Sequence, residues 1–327
     1  MRYAFVVVAF GLISPLPADS QARTWLGPLE VVHRIQDGEG TLFGNPRMIR
    51  GSPRGGFVLA DWGEHSVREY SPSGELLWRV GRRGEGPGEF SAIMDLEFDA
   101  TGNLLVLDRA NRVTIVNPSG AVVGTKTTPG GNQILPVGFA SGWATLAADR
   151  MHALWTSDSR MVRMPRGVSF EATIVGERWA ANAPDGESVV FHRWSDLMII
   201  LASDGSVRSV VRGIETIELP KAVLVSRTVD GWDFSGHKVD PKAVEATRSA
   251  AVSDDRILVL FLGDTDGAGQ IVDTYSRDGV YMGSYRLPDD VRASRMAVLA
   301  DGRLAFLDNS FIPAVVILRP VSEIRAH

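Results

Sequence analysis

Short apolar segments, each preceded by a turn, recur along most of the chain. In GGFVLAD (55–61) and TGNLLVLD (101–108), a glycine-containing turn comes before about five β-forming residues. The same arrangement returns in ASGWATLAAD (140–149), PDGESVVFH (184–192), SDDRILVLFLGD (253–264) and ADGRLAFLD (300–308). Each copy predicts a β-strand that follows a hairpin turn. Over most of the chain no helical period competes with this pattern.

The first two copies belong to a longer repeat. Gly38-Glu39-Gly40 returns as Gly84-Glu85-Gly86, and Pro72-Ser73-Gly74 returns as Pro118-Ser119-Gly120. Both pairs indicate a period of about 46 residues, a length that suits a four-stranded propeller blade. Because the pattern of turn and strand occurs six times, we predict an all-β fold: a six-bladed β-propeller of four-stranded antiparallel blades.

The two ends of the repeat region predict how the ring closes. LEVVHRIQDGEG (29–40) is similar to LLWRVGRRGEG (76–86), which ends a unit, whereas the last unit stops shortly after its third strand, AVVILRP (314–320). An open ring would expose an unpaired strand edge. We therefore predict that an N-terminal strand completes the last blade and closes the ring.

Two stretches carry a resemblance to a known family. VGRRGEGPGEF (80–90) and DLEFDATGNLLVLDRANRVTIVNPSG (95–120) together resemble an NHL repeat, in which a glycine-rich loop precedes the inner strand and an Asp ends the second strand. The resemblance is close over residues 79–120, fair over 33–78 and skeletal in the later units. It implies a six-bladed propeller with the glycine-rich loop as an inter-blade connection. NHL repeats serve several functions, so it implies no particular activity.

The N-terminus carries an export signal. Arg2 precedes the apolar run YAFVVVAFGLI (3–13), and Ser20-Gln21-Ala22 places small residues where a signal peptidase needs them. We predict a signal peptide over residues 1–22 and a propeller domain over residues 23–327. No segment of that mature chain is an apolar run of the roughly 20 residues that a membrane span needs. The protein is therefore expected to be exported, to the periplasm or to the outside of the cell.

Composition narrows the class of partner. The chain has 327 residues, a net charge of −5 and no cysteine. The acidic balance gives no reason to expect a nucleic-acid partner. The lack of cysteine removes disulfides, thiolate metal sites and cysteine nucleophiles.

The corners after the second strands hold the candidate binding residues. In three consecutive units an arginine directly follows an acidic residue or a histidine, and two tryptophans occupy similar places. Arginine recognises carboxylates and phosphates with its planar fork and stacks on aromatic rings. The corners therefore predict an arginine-bearing face that binds an anionic or saccharide-like ligand. An alternative is that each Asp caps its own corner and pairs with a nearby arginine. The candidate residues are Trp62, Asp108, Arg109, Asp149, Arg150, His192, Arg193 and Trp194.

One interval of the repeat is longer than the others. The surplus falls at about residues 213–250, which predicts an insertion between two blades. Asp240-Pro241 predicts the start of a short helix within it. The insertion could be a lid over the arginine-bearing face or a decoration that covers a strand edge.

No catalytic residue is predicted. The expected inner strands are mostly small and apolar, with Asp95 and Glu97 as the main carboxylates, and the histidines lack metal-ligand spacing. The sequence therefore favours a binding or interaction module without a cofactor, for a small ligand or another exported protein. The alternative is a metal-dependent propeller lyase or hydrolase with its site in the central channel, and Ca²⁺ or Zn²⁺ enters only under that alternative. A third possibility is a scaffold that contacts another exported protein and takes no small ligand.

Overall fold

The computed structural model describes residues 22–36, 43–127, 133–135, 144–146, 153–156, 161–163, 178–183, 185–194, 196–203, 207–215, 217, 222–229, 232–240, 242–263 and 270–321. The regular structure of these residues is all β. In this part of the chain no helix is long and apolar enough to cross a membrane.

Four sheets of four antiparallel strands follow the N-terminal strand β1 (Trp25–Ile35). The first sheet contains β2 (Pro46–Gly51), β3 (Phe57–Asp61), β4 (Ser66–Tyr70) and β5 (Leu76–Val80). The second contains β6 (Ile93–Phe98), β7 (Leu104–Asp108), β8 (Arg112–Val116) and β9 (Val122–Thr127). The third contains β10 (Gln133–Leu135), β11 (Ala144–Leu146), β12 (Ala153–Thr156) and β13 (Met161–Arg163). The fourth contains β14 (Arg178–Asn182), β15 (Ser188–His192), β16 (Leu197–Leu201) and β17 (Val207–Arg212).

A two-stranded hairpin and a larger sheet follow. The hairpin pairs β18 (Ala222–Val229) with β19 (Trp232–Val239). The remaining strands are β20 (Thr247–Val252), β21 (Arg256–Phe261), β22 (Ile271–Ser276), β23 (Tyr281–Arg286), β24 (Ala293–Val298), β25 (Leu304–Asp308) and β26 (Ala314–Pro320). Together with β1 they form an eight-stranded sheet in the order β20-β21-β22-β23-β1-β26-β25-β24.

Strand β1 closes the structure as the sequence predicts. It pairs antiparallel with β26, from Leu29 opposite Pro320 to Ile35 opposite Val315, and so adds a fourth strand to the group β24–β26. Its first residues also pair in parallel with β23, where Trp25 lies opposite Ser284. This second pairing was not predicted from the sequence, and it joins two groups of four strands into one sheet.

The first strands of the four-stranded groups are neighbours in a closed cycle, which runs β2, β6, β10, β14, β20, β24 and back to β2. The second strands β3, β7 and β25 are buried along their whole length. Because neighbouring sheets cover both of their faces, their sequences are continuous apolar runs that end in Asp. The fold is thus an all-β propeller of four-stranded antiparallel sheets.

The sheets are held together by shared apolar clusters. Ile49, Leu59 and Tyr70 of the β2–β5 sheet pack in one cluster with Leu307 and Ile317 of β25 and β26. All five are fully buried. Burying a side chain of this size stabilises a fold by about 1.5–3 kcal/mol, so the neighbouring sheets depend on each other for stability.

The helix predicted after Asp240 is wrong. The Asp240 carboxylate accepts a hydrogen bond of 2.9 Å from the backbone amide of Lys242, and its carbonyl accepts one of 2.9 Å from Ala243. This is a turn, after which residues 243–246 lack regular structure and β20 begins at Thr247. Asp forms such side-chain-to-backbone turns as readily as it caps helices. Here the residues that follow form the first strand of a sheet.

Candidate ligand-binding site

The carboxylates of the described acidic corner residues accept hydrogen bonds from nearby groups of the protein. Asp108 is buried, and its carboxylate accepts hydrogen bonds from the backbone amide of Ala110 at 2.9 Å and from Arg112 Nη2 at 2.6 Å. Asp61 caps its own corner by accepting from the amide of Gly63 at 3.0 Å, and it also accepts from the amides of Gly44 and Asn45, just before β2, at 2.8 Å. These carboxylates hold the corners in shape, as the capping interpretation of Asp108 expects.

The residue that directly follows the corner Asp or His contacts the next sheet. Trp62 Nε1 donates to the carbonyl of Ile93, the first residue of β6, at 2.7 Å. The carbonyl of Arg193 accepts from the amides of Ala246 and Thr247, at the start of β20, at 2.7 and 3.2 Å. The corners and the beginnings of the first strands therefore lie on one face of the propeller, which we call the arginine-bearing face.

A β-bulge near the beginning of the strand occurs in four of the first strands. In β2 the register passes from Pro46 to Met48, so that Arg47 has no partner in the ladder. In β20 it passes from Thr247 to Ser249, which leaves out Arg248 in the same way. Strands β6 and β24 have the same irregularity. A bulge re-aims the extra side chain, so Arg47 and Arg248 depart from the alternation of the strands that carry them.

Four arginines act through their charges on Arg295, which follows the bulge in β24. Burial, and then the positive charges of its arginine neighbours, lower the pKa of Arg295 from 12.5 to about 10. Its Nη1 donates to the carbonyls of Ser294 and Arg248 at 2.7 and 3.3 Å. We call this group the axial arginine cluster, and its members are Arg47, Arg50, Arg193, Arg248 and Arg295.

Carboxylates contact part of the cluster. Glu245 pairs with Arg193 and, at 3.3 Å, with Arg248. Burial acts to raise the pKa of Glu245, but the hydrogen bond and charge of Arg193 and the charge of Arg248 outweigh it, and the pKa is lowered. Arg50 Nη2 lies 3.0 Å from a carboxylate oxygen of Asp95.

Glu97, two residues after Asp95 on β6, adds a third carboxylate. It lies 3.6 Å from Arg50 Nε and accepts a hydrogen bond from the Asn182 side chain. Burial raises its pKa, against the opposing charge of Arg50. Five guanidinium groups therefore meet three carboxylates, and the site has a positive balance inside a protein whose net charge is −5.

Two aromatic rings lie under arginines of the cluster. The guanidinium of Arg47 is 5.4 Å from the centre of the Trp62 ring, and that of Arg193 is 4.8 Å from the centre of the Trp194 ring. Such cation–π contacts hold the guanidinium plane in place while its edge can still take a ligand. The arrangement suits a planar anion such as a carboxylate.

The structure brings together only some of the residues predicted from the corners. Trp62, Arg193 and Trp194 lie at the axial arginine cluster. Arg109 is exposed, its backbone amide donates to the carbonyl of Ala92, and its charge is not among those that act on Arg295. Asp149 and Arg150 lie outside the described residues. For His192 only the backbone is described, and it pairs with Arg178.

Sequence reasoning missed four members of the cluster. Arg47, Arg50, Arg248 and Arg295 all lie on first strands, which were expected to be mostly small and apolar. A signal was available, because arginine recurs in NPRMIRG, ATRSAAV and RASRMAV close to where a first strand begins. The described residues hold no group of three or more His, Cys, Asp or Glu that could bind a metal ion.

Comparison with known proteins gives the fold. No model of a known protein family matches the chain, and no curated protein matches it. Among solved structures, a Bacteroides fragilis protein described as exported has a TM-score of 0.58 at 11% identity, over 90% of this chain and 95% of that chain. A streptogramin B lyase has a TM-score of 0.54 at 11% identity, over 92% of this chain and 100% of that chain. The virginiamycin B lyase of Staphylococcus aureus has a TM-score of 0.50 at 10% identity, over 90% and 89%.

Proposed function

We propose that this protein is an exported binding module, a six-bladed NHL-like β-propeller that holds an anionic group of its ligand in the axial arginine cluster. The observation that carries the proposal is that β24, which bears Arg295, lies between β2 and β20, and that bulges in these two strands re-aim Arg47 and Arg248. Arginines with aromatic support are the usual protein groups for planar anions.

The cost of assembling the cluster supports a role in binding. A lowered pKa means that the charged form of Arg295 is less stable in the folded protein than in the unfolded chain. The shift to about 10 corresponds to a cost on the order of 3 kcal/mol at all pH values below that pKa. Groups with strongly shifted pKa values concentrate at functional sites. A bound anion would remove this cost.

The blade count and the export of the protein are parts of the same proposal. The closed cycle of six first strands supports six blades, as does the division of the eight-stranded sheet at β1 into two groups of four. The NHL-like motif over residues 79–120 supports the family resemblance. The predicted leader over residues 1–22 supports export, and one protein of similar fold is described as exported.

A metal-dependent lyase or hydrolase is the second candidate, because two solved lyases share the fold. Their identities of 11% and 10% carry the fold and not the activity. Under this candidate a divalent cation would bind in the channel. Under the first candidate an anion would bind at the arginine-bearing face.

Thermal unfolding of the purified protein distinguishes the two candidates. The probes are phosphate, sulfate, citrate and oligogalacturonate in one series, and Ca²⁺, Zn²⁺ and Mn²⁺ against EDTA in another. A ligand at a hundred times its Kd stabilises the native state by about 2.7 kcal/mol. We expect an anion to raise the Tm of the wild type and of the control Arg303→Glu, and not that of Arg248→Glu. Stabilisation by a metal alone would favour the lyase or hydrolase.

A further inference from the structure

An exposed apolar corner lies next to the axial arginine cluster. Phe311, between β25 and β26, is 102% exposed, and its neighbour Ile312 is 47% exposed. Phe311 and Ile312 are adjacent, and contiguous exposed apolar side chains rimmed by polar residues are typical of an interaction surface.

The corner that carries Phe311 has a fixed shape. The Asp308 carboxylate accepts hydrogen bonds from the Ser310 amide at 3.0 Å and from Arg34 Nη1 at 3.1 Å. It also accepts one from the Ser310 hydroxyl. Arg34 lies on β1, so the closing strand braces the corner. Phe311 is thus displayed by a braced turn.

The same corner touches the strand that carries Arg47. Asn309 Nδ2 lies 3.5 Å from the carbonyl of Pro46, directly before Arg47. Arg47 in turn lies over Trp62. The corner that carries Phe311 therefore lies on the same face as Arg47 and Trp62, and it contacts β2 one residue before Arg47.

We propose that the ligand of the arginine-bearing face is an acidic peptide segment of another protein, with carboxylates on Arg47 and Arg248 and an apolar side chain on Phe311 and Ile312. This inference rests on the proposed function and names the class of ligand. A small anion would fill the arginine site without reaching the corner. An acidic saccharide offers hydroxyl groups and no alkyl side chain to cover Phe311. A peptide supplies both the negative charge and the apolar group.

The test selects binders from a displayed library of random linear peptides with the purified protein. We expect enrichment of peptides that combine Asp or Glu with a large apolar residue. The best peptide is then measured by calorimetry against Arg47→Glu and Phe311→Ser. Each substitution should weaken the Kd by about tenfold or more. The matched controls, Arg303→Glu and Val280→Ser, carry the same changes in turns on the opposite face and should stay within about twofold. Circular dichroism confirms that all four variants fold.

The outcomes separate this inference from the proposed function. If an acidic oligosaccharide binds, with loss in Arg47→Glu and none in Phe311→Ser, the proposed function stands and the peptide inference is overturned. If the enriched peptides lack acidic residues, or if Phe311→Ser leaves their Kd unchanged, the inference is also overturned. If neither peptides nor anions bind, both proposals fail.

Discussion

Arg23 donates two hydrogen bonds of 3.0 Å to the carboxylate oxygens of Asp273, which lies 250 positions later in the sequence. Glu215 accepts from the remaining nitrogen, Nη1, and the guanidinium lies 4.4 Å from the centre of the Phe261 ring. Burial acts to lower the pKa of Arg23, but the two carboxylates outweigh it and raise the pKa. The first residue of the predicted mature chain is therefore fixed to the β20–β23 group before β1 begins.

Replacing Arg23 should destabilise the protein strongly. The side chain of Arg23 is 9% exposed and that of Asp273 is 1% exposed. Arg23→Ala would leave a buried carboxylate without its partner, which costs about 3–5 kcal/mol. Urea denaturation should show this loss. Arg23→Lys should recover only part of it, because lysine cannot make the two-armed contact.

Arg319→Ala is the matched control for the closing strand. Arg319 pairs with Glu30 across β26 and β1, but the two side chains are 61% and 42% exposed. Exposed pairs of this kind contribute about 0–1 kcal/mol. Equal losses in Arg23→Ala and Arg319→Ala would show that the buried pair has no special role in closing the ring.

Asp196 should make stability fall as pH rises. Burial raises the pKa of Asp196 to about 7; the hydrogen bond from the Glu215 amide opposes the shift, and the charges of Asp273 and Glu215 add to it. An acid whose pKa is raised by folding stabilises the native state in its protonated form. That contribution is fully present below the ordinary carboxyl range near 4 and is lost as pH rises through about 7.

Asp196→Asn tests this relationship. The amide stays neutral and keeps an oxygen that can accept from the Glu215 amide. We expect the variant to exceed the wild type in unfolding free energy at pH 8 and to match it near pH 4. The size of the shift corresponds to a difference of up to about 4 kcal/mol. Urea denaturation at both pH values measures it. A constant difference between variant and wild type would contradict the raised pKa.

The fold could be predicted from the sequence because the residues that repeat every 46 positions lie where neighbouring sheets contact each other. Gly74 and Gly120 end the Pro-Ser-Gly turns and have φ values of +89° and +85°. A Cβ at these two positions would lie 2.7 Å from Ile35 and from Trp78, on the outer strands of the neighbouring groups. Glycine thus recurs because of both its conformation and the close packing, and the recurrence predicts the stacking of sheets.

The candidate site was harder to predict because bulges interrupt the two-residue period of the strands. Strand β20 begins at Thr247 and includes Arg248 as the residue left out of the ladder. Side chains of a regular strand alternate between its two faces, and this alternation does not predict where a bulged residue points. The arginine neighbours of Arg295 come from other four-stranded groups, and a single sequence does not show which groups are in contact.

Alanine at two turn glycines should separate conformation from packing. Gly102 has a φ of +81° and nothing near the position of a Cβ, whereas Gly120 has a φ of +85° and Trp78 at 2.7 Å. Gly102→Ala should cost about 1 kcal/mol from the strained backbone alone. Gly120→Ala should cost about 1–3 kcal/mol more, because Trp78 must move. Urea denaturation compares the two, and equal losses would show that Trp78 adapts without cost.

Removing the charge of Arg47 should lower the affinity for an anionic ligand and leave the unfolding free energy nearly unchanged. Arg47 is exposed, and its contact in the fold is the cation–π contact with Trp62, worth about 0.5–1 kcal/mol at an exposed site. Arg47→Gln also relieves the repulsion that acts on Arg295, so the two effects oppose each other. We expect the unfolding free energy to stay within about 0.5 kcal/mol of the wild type, while the affinity for an anionic ligand falls about tenfold.

In contrast to Arg47→Gln, Arg50→Gln should lower the stability of the protein, because Arg50 is paired with a carboxylate. Arg50 lies 3.0 Å from Asp95, so its removal leaves a buried carboxylate without that partner and should lower stability by more than 1 kcal/mol. Urea denaturation and calorimetry on both variants decide the matter. If Arg47→Gln destabilises the protein as much as Arg50→Gln and leaves anion affinity unchanged, Arg47 has a structural role and the arginine-bearing face is not the binding site.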